Sequence, residues 1–92
     1  ILPSGAKSEW QDASGKVQLS EMHVHSDWFG NPVFSIEELT PARVAFITRL
    51  GEGLIPDEHT VLQEGDVLYV LSSDTELTEI TQSLSNPPRS NQ

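Results

Sequence analysis

The chain contains no cysteine, which excludes disulfides, thiolate metal sites and cysteine nucleophiles and fits a reducing compartment. No apolar run approaches the roughly 20 residues that a helix needs to cross a bilayer, so we expect no direct membrane insertion. Bases are scarce: 5 oppose 14 acids, for a net charge of -9. That charge repels nucleic acid and anionic lipid, permits attraction to cations, and most simply indicates a solvated acidic surface.

The usual motifs of catalysis and of nucleotide binding are also missing. No serine lies in G-x-S-x-G, and neither G-x-G-x-x-G nor the P-loop pattern occurs. Gly51 and Gly53 flank an acid, Glu52, and no helical pattern follows, so this stretch predicts a hairpin turn. We therefore predict a protein that is not an enzyme and that holds no cofactor within a single chain.

The apolar residues divide the chain into three parts. They concentrate in residues 17–84, whereas residues 1–16 and 85–92 are rich in Gly, Ser and Pro. We predict a flexible arm or linker over 1–16, a single domain over 17–84 and a disordered tail over 85–92. Ile1 in place of Met is expected for a fragment or processed piece. A domain of this size is marginally stable alone, which favours a homodimer.

Periodicity within residues 17–84 predicts an α+β fold. Residues 17–25 alternate as a strand whose parity changes near Glu21, which predicts a bulge there. Residues 43–49 and 67–71 give the strongest strand patterns, and Pro41 limits the preceding helix to one or two turns. Leu77, Ile80 and Leu84 form the apolar stripe of a last helix. The expected architecture is a small, mostly antiparallel sheet with a short helix and one C-terminal amphipathic helix.

Two histidines are weak candidates for a metal site. His23 and His25 would share one face of a regular strand, with Glu21 on the same face. Such a pair is more often a surface or interface feature, and at a dimer axis it could sense protons. Metal binding therefore stays the minor alternative.

Two arginines and two aromatic residues are the other candidates for binding. Arg43 and Arg49 bracket the best strand, and they could bind an anionic ligand or a partner's carboxylate, or simply pair with local acids. Trp28 and Phe29 occupy a predicted turn, where they could line a dimer interface, stack on a ligand or fill the core.

The stretch FITRLGEGLIPDEHTVLQEGDVLYVL, residues 46–71, carries a family resemblance. Its elements follow in a fixed order. An apolar strand ends in arginine, and a glycine turn and an apolar pair before proline come next. The pattern T-x-L-x-x-G-D then leads into a second apolar strand. The residues concerned are Arg49, Gly51, Gly53, Ile55, Pro56, Thr60, Leu62, Gly65 and Asp66. In this order and spacing, residues 17–84 resemble the TrkA C-terminal (TrkA-C, or RCK-C) domain of bacterial potassium-uptake regulators.

The resemblance implies a cytosolic, ligand-sensing homodimer. Its implied partners are a Rossmann-type nucleotide-binding domain and a membrane potassium transporter or channel. Some relatives bind cyclic di-AMP at the dimer interface and others respond to ions, so either is a candidate ligand. The implied ligand contacts are Arg43, Val44, Arg49, Ile55 and Pro56, with Trp28 and Phe29 at the dimer interface. A ligand-free assembly module and a histidine metal site remain the alternatives.

Overall fold

The computed structural model describes residues 5–89; the outer ends of the predicted arm and tail, residues 1–4 and 90–92, lie outside the described residues. The strands are β1 (Ala6–Gln11), β2 (Val17–Met22), β3 (Arg43–Arg49), β4 (Glu52–Leu54) and β5 (Val67–Ser73). The helices are a 3-10 turn (Ser26–Trp28), α1 (Phe34–Leu39) and α2 (Leu77–Leu84). The α+β prediction is confirmed. Within residues 5–89 neither α-helix is long and apolar enough to span a bilayer.

All five strands form one antiparallel sheet in the order β1-β2-β5-β3-β4. The central strand, β5, alternates strictly: Leu68, Val70 and Ser72 are buried and the residues between them are half-buried. One face of the sheet therefore points into the core. The two α-helices and the 3-10 turn all contribute to that core through Ile36, Leu77, Ile80, Leu84 and Trp28. The predicted apolar stripe of α2 is thus confirmed.

Strand β1 lies where we expected a flexible arm, so that prediction is wrong for residues 6–11. Its sequence shows no sustained alternation because β1 is an edge strand, exposed at every position except Ala6. Backbone pairing with β2 forms it instead. Asp12 closes the hairpin by accepting hydrogen bonds from the backbone N–H groups of Ser14 and Val17, at 3.1 and 2.9 Å. Asx-type turns of this kind do not need apolar periodicity.

The predicted bulge near Glu21 is also wrong. Strand β2 ends at Met22 and pairs with β5 without a shift of register. The parity changes because the chain leaves the sheet after Met22, and Val24 then packs against the core from outside a strand. The register shifts of this sheet lie instead in β1, between Ser8 and Trp10, and in β3, between Val44 and Phe46.

The first residues of the predicted tail are attached to the domain. The Ser85 N–H donates to the Thr81 carbonyl at 3.0 Å, and the Asn86 carbonyl accepts the Trp28 indole N–H at 2.8 Å. Trp28 is only 1% exposed, so this bond satisfies a buried polar group. Residues 85 and 86 are therefore hydrogen-bonded to the domain and do not belong to a disordered tail.

Candidate functional site

Arg49 is held inside the fold by a bidentate ion pair. Its Nε donates to Asp66 Oδ1 at 3.0 Å and its Nη2 to Oδ2 at 2.9 Å, while Nη2 also donates to the Val61 carbonyl at 2.9 Å. The Asp66 side chain has no exposed surface. The pair links the end of β3 to the turn before β5. Of the alternatives that the sequence left open, Arg49 therefore pairs with an acid of its own chain.

The surroundings of Asp66 keep it ionised. Burial alone raises the pKa of its carboxyl, but the Arg49 hydrogen bonds and the Gln63 backbone N–H, at 2.9 Å, lower it, and the net direction is down. The hydrogen bond to Asp66 raises the pKa of Arg49. The Gly65-Asp66 step thus sets the turn that begins β5.

Arg43, at the other end of β3, is exposed and free of such a partner. Its Nη1 donates to the Ala42 carbonyl at 3.3 Å, and among residues 5–89 it makes no ion pair. Although the two arginines looked equivalent in sequence, only Arg43 is available to bind an anion or a partner.

Arg43 lies on the sheet face that points away from the helices, which we call the open face. Strand pairing defines two rows across it. The first row is Trp10, Leu19, Leu71 and Arg43, and the second is Lys7, Glu21, Tyr69 and Phe46. Val17 and Ser73 pair at one end of the face, Val67 and Thr48 pair at the other, and Glu9 lies in the β1 irregularity. No helix of the described chain contributes to it.

The open face is apolar at its centre and organised around Tyr69. The Tyr69 and Phe46 rings stack with centroids 4.4 Å apart, and the Tyr69 hydroxyl donates to Glu21 Oε1 at 3.0 Å. That hydrogen bond, with burial and the charges of Glu21 and Glu9, raises the pKa of Tyr69. Trp10 is 52% exposed. Contiguous apolar surface of this kind typically marks a contact site.

A second apolar feature borders this face at the β3–β4 edge. Leu50 is 98% exposed with a φ of 53°, and Ile55, just after β4, is 80% exposed. Leu54 pairs with Ile47 in antiparallel register, so the chain leaves β4 in the direction of the start of β3. Ile55 and the half-buried Pro56 therefore follow the edge that leads toward Arg43.

Two of the predicted contact residues lie in the core. Trp28 is 1% exposed and Val44 is 8% exposed with its side chain among the buried cluster. This burial favours a core role for both side chains, while Trp28 at a dimer interface and Val44 in a ligand site stay predictions. Phe29 is half-buried against the core, and its role at an interface stays a prediction. The sequence offered no sign of which side of the turn faces inward.

The histidine pair does not form the predicted arrangement, since both residues follow the end of β2. His23 Nε2 lies 3.8 Å from Glu21 Oε2, whereas His25 Nδ1 accepts the Asp27 backbone N–H at 3.0 Å as the cap of the 3-10 turn. Over residues 5–89 no group of three or more His, Asp or Glu side chains could hold a metal ion. The shared strand face on which the metal hypothesis depended is absent from this region.

A cavity of about 240 Å³ lies between the end of α1 and the C-terminal half of α2. Trp28, Leu39, Glu79 and Arg89 are among its lining residues. Its volume is below the roughly 300 Å³ at which ligand sites usually begin. The open face and its β3–β4 edge are therefore the stronger candidate site.

Comparison with known proteins identifies relatives over nearly the whole chain. It is 43% identical over 88 residues to the Trk system potassium uptake protein TrkA of Streptomyces coelicolor, an alignment covering 96% of this chain and 40% of that protein. No family model matches.

Solved structures share the fold. The crystal structure of the GsuK RCK domain superposes with a TM-score of 0.73 at 20% identity, over 92% of this chain and 19% of that one. The GsuK channel bound to NAD superposes with a TM-score of 0.69 at 22% identity, over 90% and 16% of the two chains. The alignment to TrkA and the shared fold confirm the resemblance of this chain to the TrkA C-terminal, or RCK-C, domain family.

Proposed function

We propose that this domain is a cytosolic regulatory module of a potassium uptake system, in which it works as a ligand-sensing homodimer rather than as an enzyme. The observation that carries the proposal is the 43% identity to a potassium uptake protein across 96% of this chain. The aligned part is only 40% of the relative. We therefore propose for this chain the role of one regulatory domain, not the activity of the whole relative. Its partners would be a Rossmann-type nucleotide-binding domain and a membrane potassium transporter or channel.

The geometry supports one arrangement of the sensor. A ligand at the seam between two copies would meet the exposed Arg43 and the Ile55-Pro56 step along the β3–β4 edge. Arg49 would act indirectly, because its bonds to Val61 and Asp66 hold the second half of the loop that begins at Ile55. Binding that favours one orientation of the two copies would shift the population of the attached transporter's states.

The ligand chemistry follows from the charges at this edge. A free guanidinium suits a phosphate, which makes cyclic di-AMP or another nucleotide the first candidate. The acidic remainder of the surface suits a cation, the second candidate. Thermal-shift and calorimetric titration with cyclic di-AMP, nucleotides, potassium and divalent ions tests both. We expect Arg43→Ala to weaken phosphate-ligand binding about tenfold, or about 1.4 kcal/mol. Lys16→Ala, in the β1–β2 turn, is the matched control.

The regulatory role is tested by transplanting the domain. We expect this chain, in place of the aligned part of the Streptomyces coelicolor protein, to preserve potassium uptake in cells that lack the native copy. Deleting the same part without replacement is the control. Uptake as low with the transplant as with the deletion would contradict the proposal.

A ligand-free assembly module is the second candidate, and the exposed apolar surface of the open face, at Trp10 and Val17, is the observation that favours it. Two results together would distinguish it. Potassium uptake would depend on the domain, and none of the ligands titrated would bind to it. A response to any ligand that Arg43→Ala weakens would favour the sensor instead.

A further inference from the structure

The cavity between α1 and the C-terminal half of α2 has an apolar floor that suits a small molecule. Its volume of about 240 Å³ lies below the range usual for drug-sized ligands, so a ligand here is of amino-acid size. The floor consists of the buried Trp28 and the half-buried Leu39, together with the exposed Pro87. Apolar surface of this kind favours contact with an aliphatic side chain.

One wall of the cavity is polar because of the spacing of residues along α2. The lining residues that α2 and its C-terminal extension supply are three or four positions apart, which places them on one face of the helix. They are Glu79, Gln82, Ser83 and Asn86. The Asn86 carbonyl accepts the Trp28 indole N–H at 2.8 Å, and the Asn86 amide donates to the Gln82 carbonyl at 2.7 Å. Hydrogen bonds of the fold therefore fix this wall to the floor.

Two side chains of opposite charge line the cavity. Glu79 belongs to α2, whereas Arg89 belongs to the segment after it, and both are exposed. Within residues 5–89 neither forms an ion pair, with the other or with any third group. A guanidinium suits a carboxylate, and a carboxylate suits an ammonium group. A ligand that carries both charges would pair with both side chains at once, which a singly charged molecule cannot do.

We propose that this cavity binds a free α-amino acid with an aliphatic side chain. The carboxylate of the ligand pairs with Arg89, its ammonium group pairs with Glu79, and its side chain packs on Trp28 and Leu39. Such a ligand joins α2 to the segment that carries Arg89, so its binding stabilises the folded domain. This site goes beyond the proposed function, because its lining shares no residue with the β3–β4 edge and does not include Arg43.

The fluorescence of Trp28 reports binding directly because this side chain forms part of the floor. The chain has two tryptophans, so Trp10→Phe leaves Trp28 as the only one. Titration of this variant with L-leucine should change the emission saturably, with a dissociation constant on the order of a millimolar, as expected for so small a ligand. Leucinamide lacks the carboxylate and 4-methylpentanoate lacks the ammonium group, so each should bind about tenfold more weakly.

Neutral substitutions assign each charge of the ligand to its partner. In the Trp10→Phe background, Arg89→Gln should weaken leucine binding about tenfold and abolish the preference for leucine over leucinamide. Glu79→Gln should weaken it by a similar factor and abolish the preference for leucine over 4-methylpentanoate. Glu38→Gln, on α1 outside the cavity lining, and Lys16→Gln, in the β1–β2 turn, are the charge-matched controls and should leave the dissociation constant unchanged.

Three outcomes would overturn the proposal, once circular dichroism melts have shown that each variant is folded. The first is the absence of a saturable response to leucine, and the second is equal affinity for leucine and its two singly charged analogues. The third is a pair of Glu79 and Arg89 variants that behave like their controls. None of these outcomes bears on the proposed function, which the titrations of Arg43→Ala and the transplanted domain test separately.

Discussion

The two faces of β5 have the same kind of sequence but different surroundings. The inner residues Leu68 and Val70 are fully buried beneath the helices, whereas Tyr69 and Leu71 on the open face are only half-buried. An apolar run such as 67–71 is typical of a strand covered on both sides. The difference teaches that the helices of residues 5–89 cover only one of the two apolar faces of this strand.

The largest effect should come from truncating one leucine on each face. Leu68→Ala removes a fully buried side chain and should lower the free energy of unfolding by about 3 kcal/mol. Leu71→Ala, three residues along the same strand, should cost about 1 kcal/mol because its side chain is already partly hydrated. Urea unfolding at low protein concentration measures both values. Equal losses of stability would contradict the distinction between the face that points into the core and the open face.

The Arg49–Asp66 pair sharpens the same comparison at the two ends of β3. Asp66→Asn removes the charge opposite Arg49 and should destabilise the fold by about 2 kcal/mol, less than for a fully buried pair because Arg49 is partly solvated. Arg43→Ala should change stability by less than about 0.5 kcal/mol. Glu64→Gln, an exposed acid in the same turn as Asp66, is the control. A cost for Arg43→Ala as large as that for Asp66→Asn would contradict the separate roles.

The same pair predicts a pH dependence. The pKa of Asp66 lies below its ordinary value of 3.8, so its stabilising contribution is complete above that pH and is lost as the pH falls through the lowered value. Asp12, in the hairpin turn, follows the same rule with a pKa of about 2. We expect stability to fall between about pH 4 and pH 2, and the fall to be shallower in Asp66→Asn. Urea midpoints across this range measure the effect; parallel curves would argue against it.

The smallest effect concerns a polar atom on the inner face. Ser20 is 0% exposed and its hydroxyl has no hydrogen-bond partner among the described residues. Ser20→Ala should therefore stabilise the fold by about 0.5–1 kcal/mol. Ser8→Ala, on the neighbouring exposed strand, should be neutral. Thermal unfolding compares the two, and a destabilised Ser20→Ala would show that the hydroxyl is satisfied in solution.

The elements found from sequence are those that bury one face. The apolar patterns of β3, β5 and α2 are strong because the core selects their inward residues. Strand β1 escaped detection because an edge strand exposed on both sides needs no such pattern. Likewise, the sequence could not show that Arg49 is paired and Arg43 is not, because Asp66, the acid that pairs with Arg49, lies 17 residues away. Trp28 was ambiguous because burial of a turn residue depends on the segment beyond α2 that covers it.

The most direct test of the two-faced sheet is the broadening of methyl signals by a soluble paramagnetic agent in a ¹H–¹³C spectrum of the isolated domain. We expect the Leu71 methyl signals, on the open face, to broaden strongly, and those of Leu68, which is fully buried beneath the helices, to persist. Equal broadening of the two leucines, or equal protection of both, would contradict the account.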